Sequence, residues 1–232
     1  MLYKSLMAAV LGLAAGSVAQ AQNIPGTDIP IRISGAELGA EYNLDIDDRS
    51  ETTMSFNAGF EIAIGREFAI ALTAENLDIS EDTTPTTMTL HGIHHLNPNA
   101  TIGAFYSLSE DEVEGFGIEG GTNLGFADLN GYVGKRTDGT DNAAFLGLGT
   151  RSLITDNIRF YTELDIISDN DTHLANGELG VSYTFDEGPE AYVQIGQQGL
   201  LDDSFIKDGV TYFGVGARMT FGAQRGTTFE TR

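Results

Sequence analysis

The segment from Tyr212 to Phe221 alternates without interruption between apolar and other residues. The apolar positions are Phe213, Val215, Ala217, Met219 and Phe221, and the positions between them are Tyr212, Gly214, Gly216, Arg218 and Thr220. Because successive side chains of a strand point to opposite faces, this period of two predicts a strand with one apolar face. Helical periodicity is not evident after Gln22, so the sequence predicts an all-β fold.

Similar segments recur along the chain and predict twelve strands. Their predicted bounds are Ser34–Ile46, Thr52–Ile64, Glu67–Leu77, Thr86–Leu96, Ala100–Leu108, Glu112–Gly120, Asn123–Lys135, Ala143–Leu153, Ile158–Ile167, His173–Phe185, Ala191–Gln197 and Val210–Phe221. A change of parity near Phe126 predicts a β-bulge. Glycines between Gly115 and Gly131 blur the pattern, so a count of about ten strands stays open as the alternative.

The connections between the predicted strands alternate between two kinds. Short turns are predicted at Gly65-Arg66, Asn97–Asn99, Gly120–Asn123, Ile154–Asn157 and Asp186–Pro189. Acidic and mostly longer loops are predicted at Ile46–Glu51, Asp78–Pro85, Ser109–Glu112, Arg136–Asn142, Ser168–Thr172 and Gln198–Asp208. Such alternation is typical of an antiparallel up-and-down transmembrane β-barrel, with turns at one end and loops at the other.

The final strand also resembles the closing-strand signal of Gram-negative outer-membrane β-barrels of the porin-like family. The resemblance lies in the terminal Phe221, in Gly216 five positions before it and in the apolar Met219 between them. It implies that Gly216, Met219 and Phe221 form an assembly signal for the barrel insertion machinery. It further implies localisation in the outer membrane of a Gram-negative bacterium, among lipid and lipopolysaccharide.

The amino terminus has the pattern of a secretory signal peptide. One positive charge at Lys4 precedes an apolar stretch from Ser5 to Val18, and Ala19-Gln20-Ala21 forms a cleavage pattern. We therefore expect a signal peptide at 1–21, a barrel at 22–221 and a periplasmic tail at 222–232. Removing the signal peptide, which holds one lysine and no acid, changes the net charge from −22 to −23. So acidic a protein is not expected to bind nucleic acid, whose phosphates require Lys and Arg.

Aromatic residues fall near both ends of the predicted strands. Phe68, Phe160, Tyr183, Phe185 and Phe221 fall near the short turns, whereas Tyr42 and Tyr106 fall near the long loops. This distribution resembles the two aromatic girdles of membrane barrels. The alternative is a soluble antiparallel barrel or sandwich whose apolar face points inward.

If the apolar faces meet lipid, the opposite faces line a charged lumen. The predicted pore-lining residues are Glu37, Glu41, Asp45, Glu61, Glu75, Arg151, Arg159, Glu163, Asp165, Glu178 and Arg218. Glycines at 39, 59, 103, 147, 180 and 216 are predicted to leave room for water between them. Excess carboxylate predicts a cation-preferring channel for passive diffusion of small hydrophilic solutes. The alternative is a non-conducting structural or surface-binding barrel whose Arg–Glu contacts only stabilise it.

Catalytic and metal-binding motifs are weak. On a strand, His91 and His95 share a face but lie about 13 Å apart, which is too far for direct ligation of one metal ion. Ser107 and Ser109 follow on the next strand, without the local His-x-Ser motif of outer-membrane phospholipases. Acidic loops offer oxygen ligands for Ca²⁺ but do not match an EF-hand. We therefore expect interfacial or lumen-facing histidines, no enzyme activity, no cofactor and no dedicated metal site.

Overall fold

The computed structural model describes residues 22–23, 29–46, 48, 52–75, 86–139, 141–169, 172–185, 188–202, 205–221 and 228–229. The expected signal peptide and the predicted acidic loop at 78–85 lie outside these ranges. The described residues include no helix that is long and apolar enough to cross a membrane.

The described chain is built from antiparallel strands. They are β1 (Gln22–Asn23), β2 (Pro30–Asp45), β3 (Thr52–Ile64), β4 (Phe68–Glu75), β5 (Thr87–Asn97), β6 (Ala100–Ser109), β7 (Glu114–Asn123), β8 (Ala127–Asp138), β9 (Asp141–Leu153), β10 (Ile158–Asp169), β11 (Thr172–Thr184), β12 (Glu190–Asp202) and β13 (Phe205–Phe221). The two-residue β1 pairs with the start of β2, at Pro30 and Ile31.

Strands β2 to β13 form a closed barrel. Each pairs with its neighbours in sequence, and β2 pairs with both β3 and β13. The closing register runs from Tyr212 opposite Asp45 to Phe221 opposite Ala36. Closure satisfies backbone groups that an open edge would leave unpaired in lipid. The prediction of a twelve-stranded up-and-down barrel is confirmed, and the ten-strand alternative is wrong.

Tight connections mark one end of the barrel, which we call the short-turn rim. It comprises the turns at 65–67, 98–99, 124–126 and 154–157, together with residues 185 and 188–189. Gly125 has a φ of 87°, and its N–H donates a 2.8 Å hydrogen bond to Oδ1 of Asn123. The turn predicted at Gly120–Asn123 is wrong, because those residues continue β7. The β-bulge predicted near Phe126 is also wrong, because Phe126 lies in the turn between β7 and β8, and the parity changes there.

The strands extend further towards the opposite end, the loop rim, than their sequence predicts. The loop expected at Gln198–Asp208 is largely strand, because β12 continues to Asp202 and β13 begins at Phe205. Polar residues there still form backbone ladder bonds, which do not depend on side-chain polarity. Hydrophobic alternation therefore ends where the bilayer contact ends, whereas the strand itself continues.

The outer surface of the barrel is an apolar belt. Its exposed residues include Tyr42, Met54, Ile70, Leu90, Ile102, Phe116, Ile118, Val133, Leu148, Leu164, Leu179, Val193, Ile195, Phe213, Val215 and Met219. In contrast, Glu37 and Glu61 are 2% and 1% exposed on the inner side. A soluble sandwich would place these two sets the other way round, so that alternative is wrong.

Aromatic side chains flank this belt. Phe68, Tyr183 and Phe185 are exposed beside the short-turn rim, and Tyr42 and Tyr106 are exposed towards the loop rim. Phe68 stacks on His94 with ring centroids 4.7 Å apart. Tyr183 and Phe185 meet edge to face at 4.8 Å. Two girdles of this kind position a barrel at both membrane interfaces.

A small apolar cluster sits on the inside of the barrel wall. It consists of Ala69, Ala71, Ile93 and Phe229. Phe229 and Thr228 belong to the segment expected as a periplasmic tail, yet both lie against the inner wall. The rest of that segment is outside the described residues.

Candidate functional site

The barrel register places the predicted lumen residues on the inner face. A cavity of about 650 Å³ lies in this interior, and seven of the predicted residues line it: Glu37, Glu41, Arg151, Arg159, Glu163, Glu178 and Arg218. Its lining also includes Pro98, Asn99, Gly125 and Gly188, which belong to the turns of one rim. The cavity therefore opens at the short-turn rim.

The other four predicted residues lie elsewhere on the inner face. Glu61 is buried and accepts hydrogen bonds from Ser34 and Thr228. Asp165 accepts a 2.5 Å bond from the hydroxyl of Tyr132. Asp45 and Glu75 close their strands at the loop rim.

Four inner-wall tyrosines make the same three-strand contact, which we call a tyrosine row. Tyr161 on β10 faces Gly180 on β11, which in turn faces Gln194 on β12. The tyrosine ring crosses the glycine, and its hydroxyl donates to Oε1 of Gln194 at 2.8 Å. The other rows are Tyr132–Gly147–Asp165, Tyr192–Gly216–Glu41 and Tyr212–Gly196–Glu178.

Close ring contact explains why glycine occupies the middle of each row. A Cβ atom on Gly180 would lie 2.2 Å from Cζ of Tyr161, far inside van der Waals contact. The expectation that such glycines leave room for water is wrong for Gly147, Gly180 and Gly216, because tyrosine rings cover them. The rings lie along the wall instead of projecting across the cavity. The sequence analysis did not predict these rows, because it assigned the two faces of each strand separately and the rows depend on the register between strands.

Glu41 accepts three hydrogen bonds from neighbouring side chains of the cavity wall. Its Oε2 accepts from Tyr192 at 2.8 Å, and its Oε1 accepts from Asn43 at 2.5 Å and from Gln194 at 3.1 Å. Because Tyr192 and Gln194 both lie on β12, these bonds hold the Glu41 side chain of β2 in place across β13.

The three predicted arginines lie on the wall that runs from β9 to β13. Arg218 donates to Oε1 of Glu190 at 2.7 Å, and Arg159 donates to Oε2 of the same residue at 3.4 Å. The guanidinium carbon of Arg151 lies 6.0 Å from the ring centroid of Tyr161. Sequence reasoning missed Glu190 because it placed this residue outside the eleventh strand. The sequence did contain a signal for it: Glu190 directly precedes a predicted strand, and two arginines were predicted to face the lumen.

A second polar group lies within the wall of β4, β5 and β7. Nδ1 of His91 is 2.8 Å from Oε1 of Glu119, and its Nε2 is 3.2 Å from the hydroxyl of Thr73. All three residues are buried. The register sets Ser107 opposite Thr89 and sets His91 opposite Phe105. His91 is therefore a wall residue that contacts Thr73 and Glu119, not the partner of a serine nucleophile.

Comparisons with known proteins agree with the barrel architecture. No family model and no curated protein matches the sequence. The solved structure of the KdgM porin in complex with disordered oligogalacturonate superposes with a TM-score of 0.57 and 10% identity, over 80% of this chain and 99% of that chain. The NanC porin superposes with a TM-score of 0.55 and 8% identity, over 79% and 98% of the two chains. The shared fold and the apolar exterior define this chain as a transmembrane β-barrel with the fold of porins.

Proposed function

We propose that this barrel is a porin-like channel for passive diffusion of small hydrophilic solutes, with a preference for cations. The supporting observation is the composition of the cavity wall. Six carboxylates line it, at positions 37, 41, 128, 163, 178 and 190, together with three arginines, at positions 151, 159 and 218. With all groups ionised, the lining carries three more negative than positive charges.

The positions of the charges strengthen the preference. Arg159 and Arg218 share Glu190 as a partner, so much of their positive charge is compensated locally. Glu163 and Glu178 face each other across β10 and β11. Charges in a narrow lumen are screened less than in bulk water, so this excess carboxylate attracts cations and repels anions.

The solute of one structural neighbour is a poor guide for this chain. The KdgM porin was solved with oligogalacturonate, which is a polyanion. A lumen with excess carboxylate disfavours polyanions. We therefore propose neutral and cationic small solutes for this barrel.

The test is the reversal potential of the refolded protein in a salt gradient across a planar bilayer. Replacing Glu37, Glu41 and Glu163 together with Gln should move the potential towards zero. A matched control replaces three exposed turn carboxylates, Glu67, Asp111 and Asp156, with their amides. An equal change in both variants would show that the lumen carboxylates do not set selectivity.

A specific observation favours the alternative of a non-conducting barrel. Phe145 packs on Phe105 inside the barrel, with ring centroids 5.8 Å apart, and Phe229 adds a further ring nearby. These rings reduce the open cross-section. Complete absence of conductance in the properly folded protein would favour this alternative.

We propose that a signal peptide at the amino terminus directs export and that the last strand directs assembly in the membrane. The signal peptide at 1–21 would direct secretion, and β13 would present Gly216, Met219 and Phe221 to the insertion machinery. Met219 is exposed on the lipid face, and Phe221 ends the closing strand at the short-turn rim. Exposed acidic residues at the loop rim, including Glu110 and Asp111, would contact lipopolysaccharide through divalent ions.

A further inference from the structure

Phe229 lies inside the barrel although it follows the last strand. Its side chain is 2% exposed and clusters with Ala69, Ala71 and Ile93 of the inner wall. Its ring stacks on that of His91, with centroids 6.3 Å apart and planes inclined by 23°. A buried aromatic ring at this position requires a pocket in the wall.

Small residues form that pocket. Ala69 and Ala71 supply its β4 side, and a Cβ atom on Gly121 of β7 would already lie 3.7 Å from Cε1 of Phe229. His91 forms the remaining side and is held in place by Glu119 and Thr73. Larger residues at these three small positions would occupy the space that the phenyl ring fills.

A backbone contact holds the neighbouring residue. The N–H of Thr228 donates to Oε2 of Glu61 at 2.8 Å, while Oε1 of Glu61 accepts from Ser34 at 2.7 Å. Glu61 thus joins β2 and the C-terminal segment through one buried carboxylate. Thr228 in turn lines the 650 Å³ cavity. The described part of the C-terminal segment is therefore part of the cavity wall.

We infer that Phe229 anchors itself and Thr228 against the inner wall, where these two residues form an internal constriction that limits the size of permeating solutes. This inference rests on the proposed channel function. Thr228 lines the cavity and the buried Phe229 ring holds it there, so their position sets how wide a solute can pass on this side. Phe229 is a size-determining residue through its anchoring contact.

Conductance of the full-length protein tests the inference. Phe229→Asp places a carboxylate beside Glu61 and Glu119, which should expel the side chain from its pocket. Phe229→Leu keeps an apolar anchor. We expect Phe229→Asp to raise single-channel conductance and to admit larger polyethylene glycols, while Phe229→Leu behaves like the native protein. Equal conductance and equal polymer exclusion in all three proteins would overturn the inference.

Thiol labelling gives a readout that does not depend on conduction. The chain has no cysteine, so Ile93→Cys introduces a single thiol beside the Phe229 ring without adding volume to its pocket. We expect a water-soluble maleimide to react on the order of tenfold faster after Phe229→Asp. The variant loses the free energy gained by burying an aromatic ring, and that loss is enough to shift the equilibrium between the closed and open pocket at least tenfold. Thr150→Cys, on the cavity wall away from Phe229, should react equally in both backgrounds.

The two readouts separate the two proposals. Faster labelling without any native conductance would support the anchor and contradict the channel function. Native conductance with unchanged labelling and conductance after Phe229→Asp would contradict the anchor alone. If Phe229→Asp does not yield a heat-modifiable barrel, Phe229→Ala replaces it, with the same expected directions.

Discussion

The hydroxyl of Tyr192 donates a 2.8 Å hydrogen bond to Oε2 of Glu41 across the strand that closes the barrel. Tyr192 lies on β12 and Glu41 on β2, and β13 runs between them with Gly216 beneath the ring. The contact therefore clamps the seam at which the first and last barrel strands meet. In the other three tyrosine rows, the same geometry ties together strands that are two apart.

Loss of this clamp should weaken the barrel. Tyr192→Phe removes a hydrogen bond to a charged group, which is worth about 1.5–3 kcal/mol. The free energy of unfolding in urea, measured in lipid vesicles, should fall by that amount. Tyr42→Phe, on the lipid face, is the control and should change it little. Equal stability of the native protein and Tyr192→Phe would contradict a clamping role.

Two glycines of β11 provide a matched test of the tyrosine rows. Gly180→Ala places a methyl group 2.2 Å from Cζ of Tyr161, whereas a Cβ atom on Gly177 meets nothing within 4 Å. We expect Gly180→Ala to cost about 1–3 kcal/mol through overpacking. Gly177→Ala should be close to neutral. Urea titrations of both variants measure the difference, and similar stabilities would show that the ring has room to move.

A charged residue introduced on the lipid face should destabilise the barrel by an amount that depends on its depth in the bilayer. Leu148 is exposed near the middle of β9, and Leu153 is exposed at the end of the same strand. Leu148→Arg should destabilise the barrel by about 2–4 kcal/mol, and Leu153→Arg by about 0–1 kcal/mol. Equilibrium unfolding from vesicles measures both costs. Equal costs would mean that β9 does not cross the bilayer at this depth.

Glu190 should control how strongly the positive charges of Arg159 and Arg218 affect ion selectivity. Glu190→Gln leaves the positive charges of Arg159 and Arg218 without their shared carboxylate. We expect selectivity to move towards anions, as measured by the reversal potential in a salt gradient. Glu67→Gln removes an exposed turn carboxylate and should leave the potential unchanged. A shift towards cations after Glu190→Gln would contradict the proposed charge compensation.

Phe221 should act in assembly. Phe221→Asp is expected to lower the amount of folded, heat-modifiable protein in the outer membrane without reducing export to the periplasm. Phe126→Asp changes another aromatic residue at the short-turn rim and should assemble normally. Quantifying each variant in membrane and periplasmic fractions provides the measurement. Normal assembly of Phe221→Asp would remove the signal from the closing strand.

The sequence predicted the architecture because alternation is a local property. In β9, for example, Leu148 and Arg151 could be assigned to lipid and lumen from their parity alone. Seven of the eleven charged residues predicted in this way line the cavity. Strand ends were less predictable, as in β12 and β13, because backbone pairing continues beyond the apolar belt.

By itself, then, the sequence determined the antiparallel barrel fold and the two faces of its strands, while it left the count open between twelve and ten. Only the tertiary structure decided which residues meet within the lumen. Tyr192 and Glu41 are 151 positions apart, and Thr228 and Glu61 are 167 apart. Such contacts depend on strand register and closure, and a shift of one residue would turn every side chain of a strand to the other face. For this reason the tyrosine rows, the Glu190 pairing and the position of Phe229 come from the folded barrel alone.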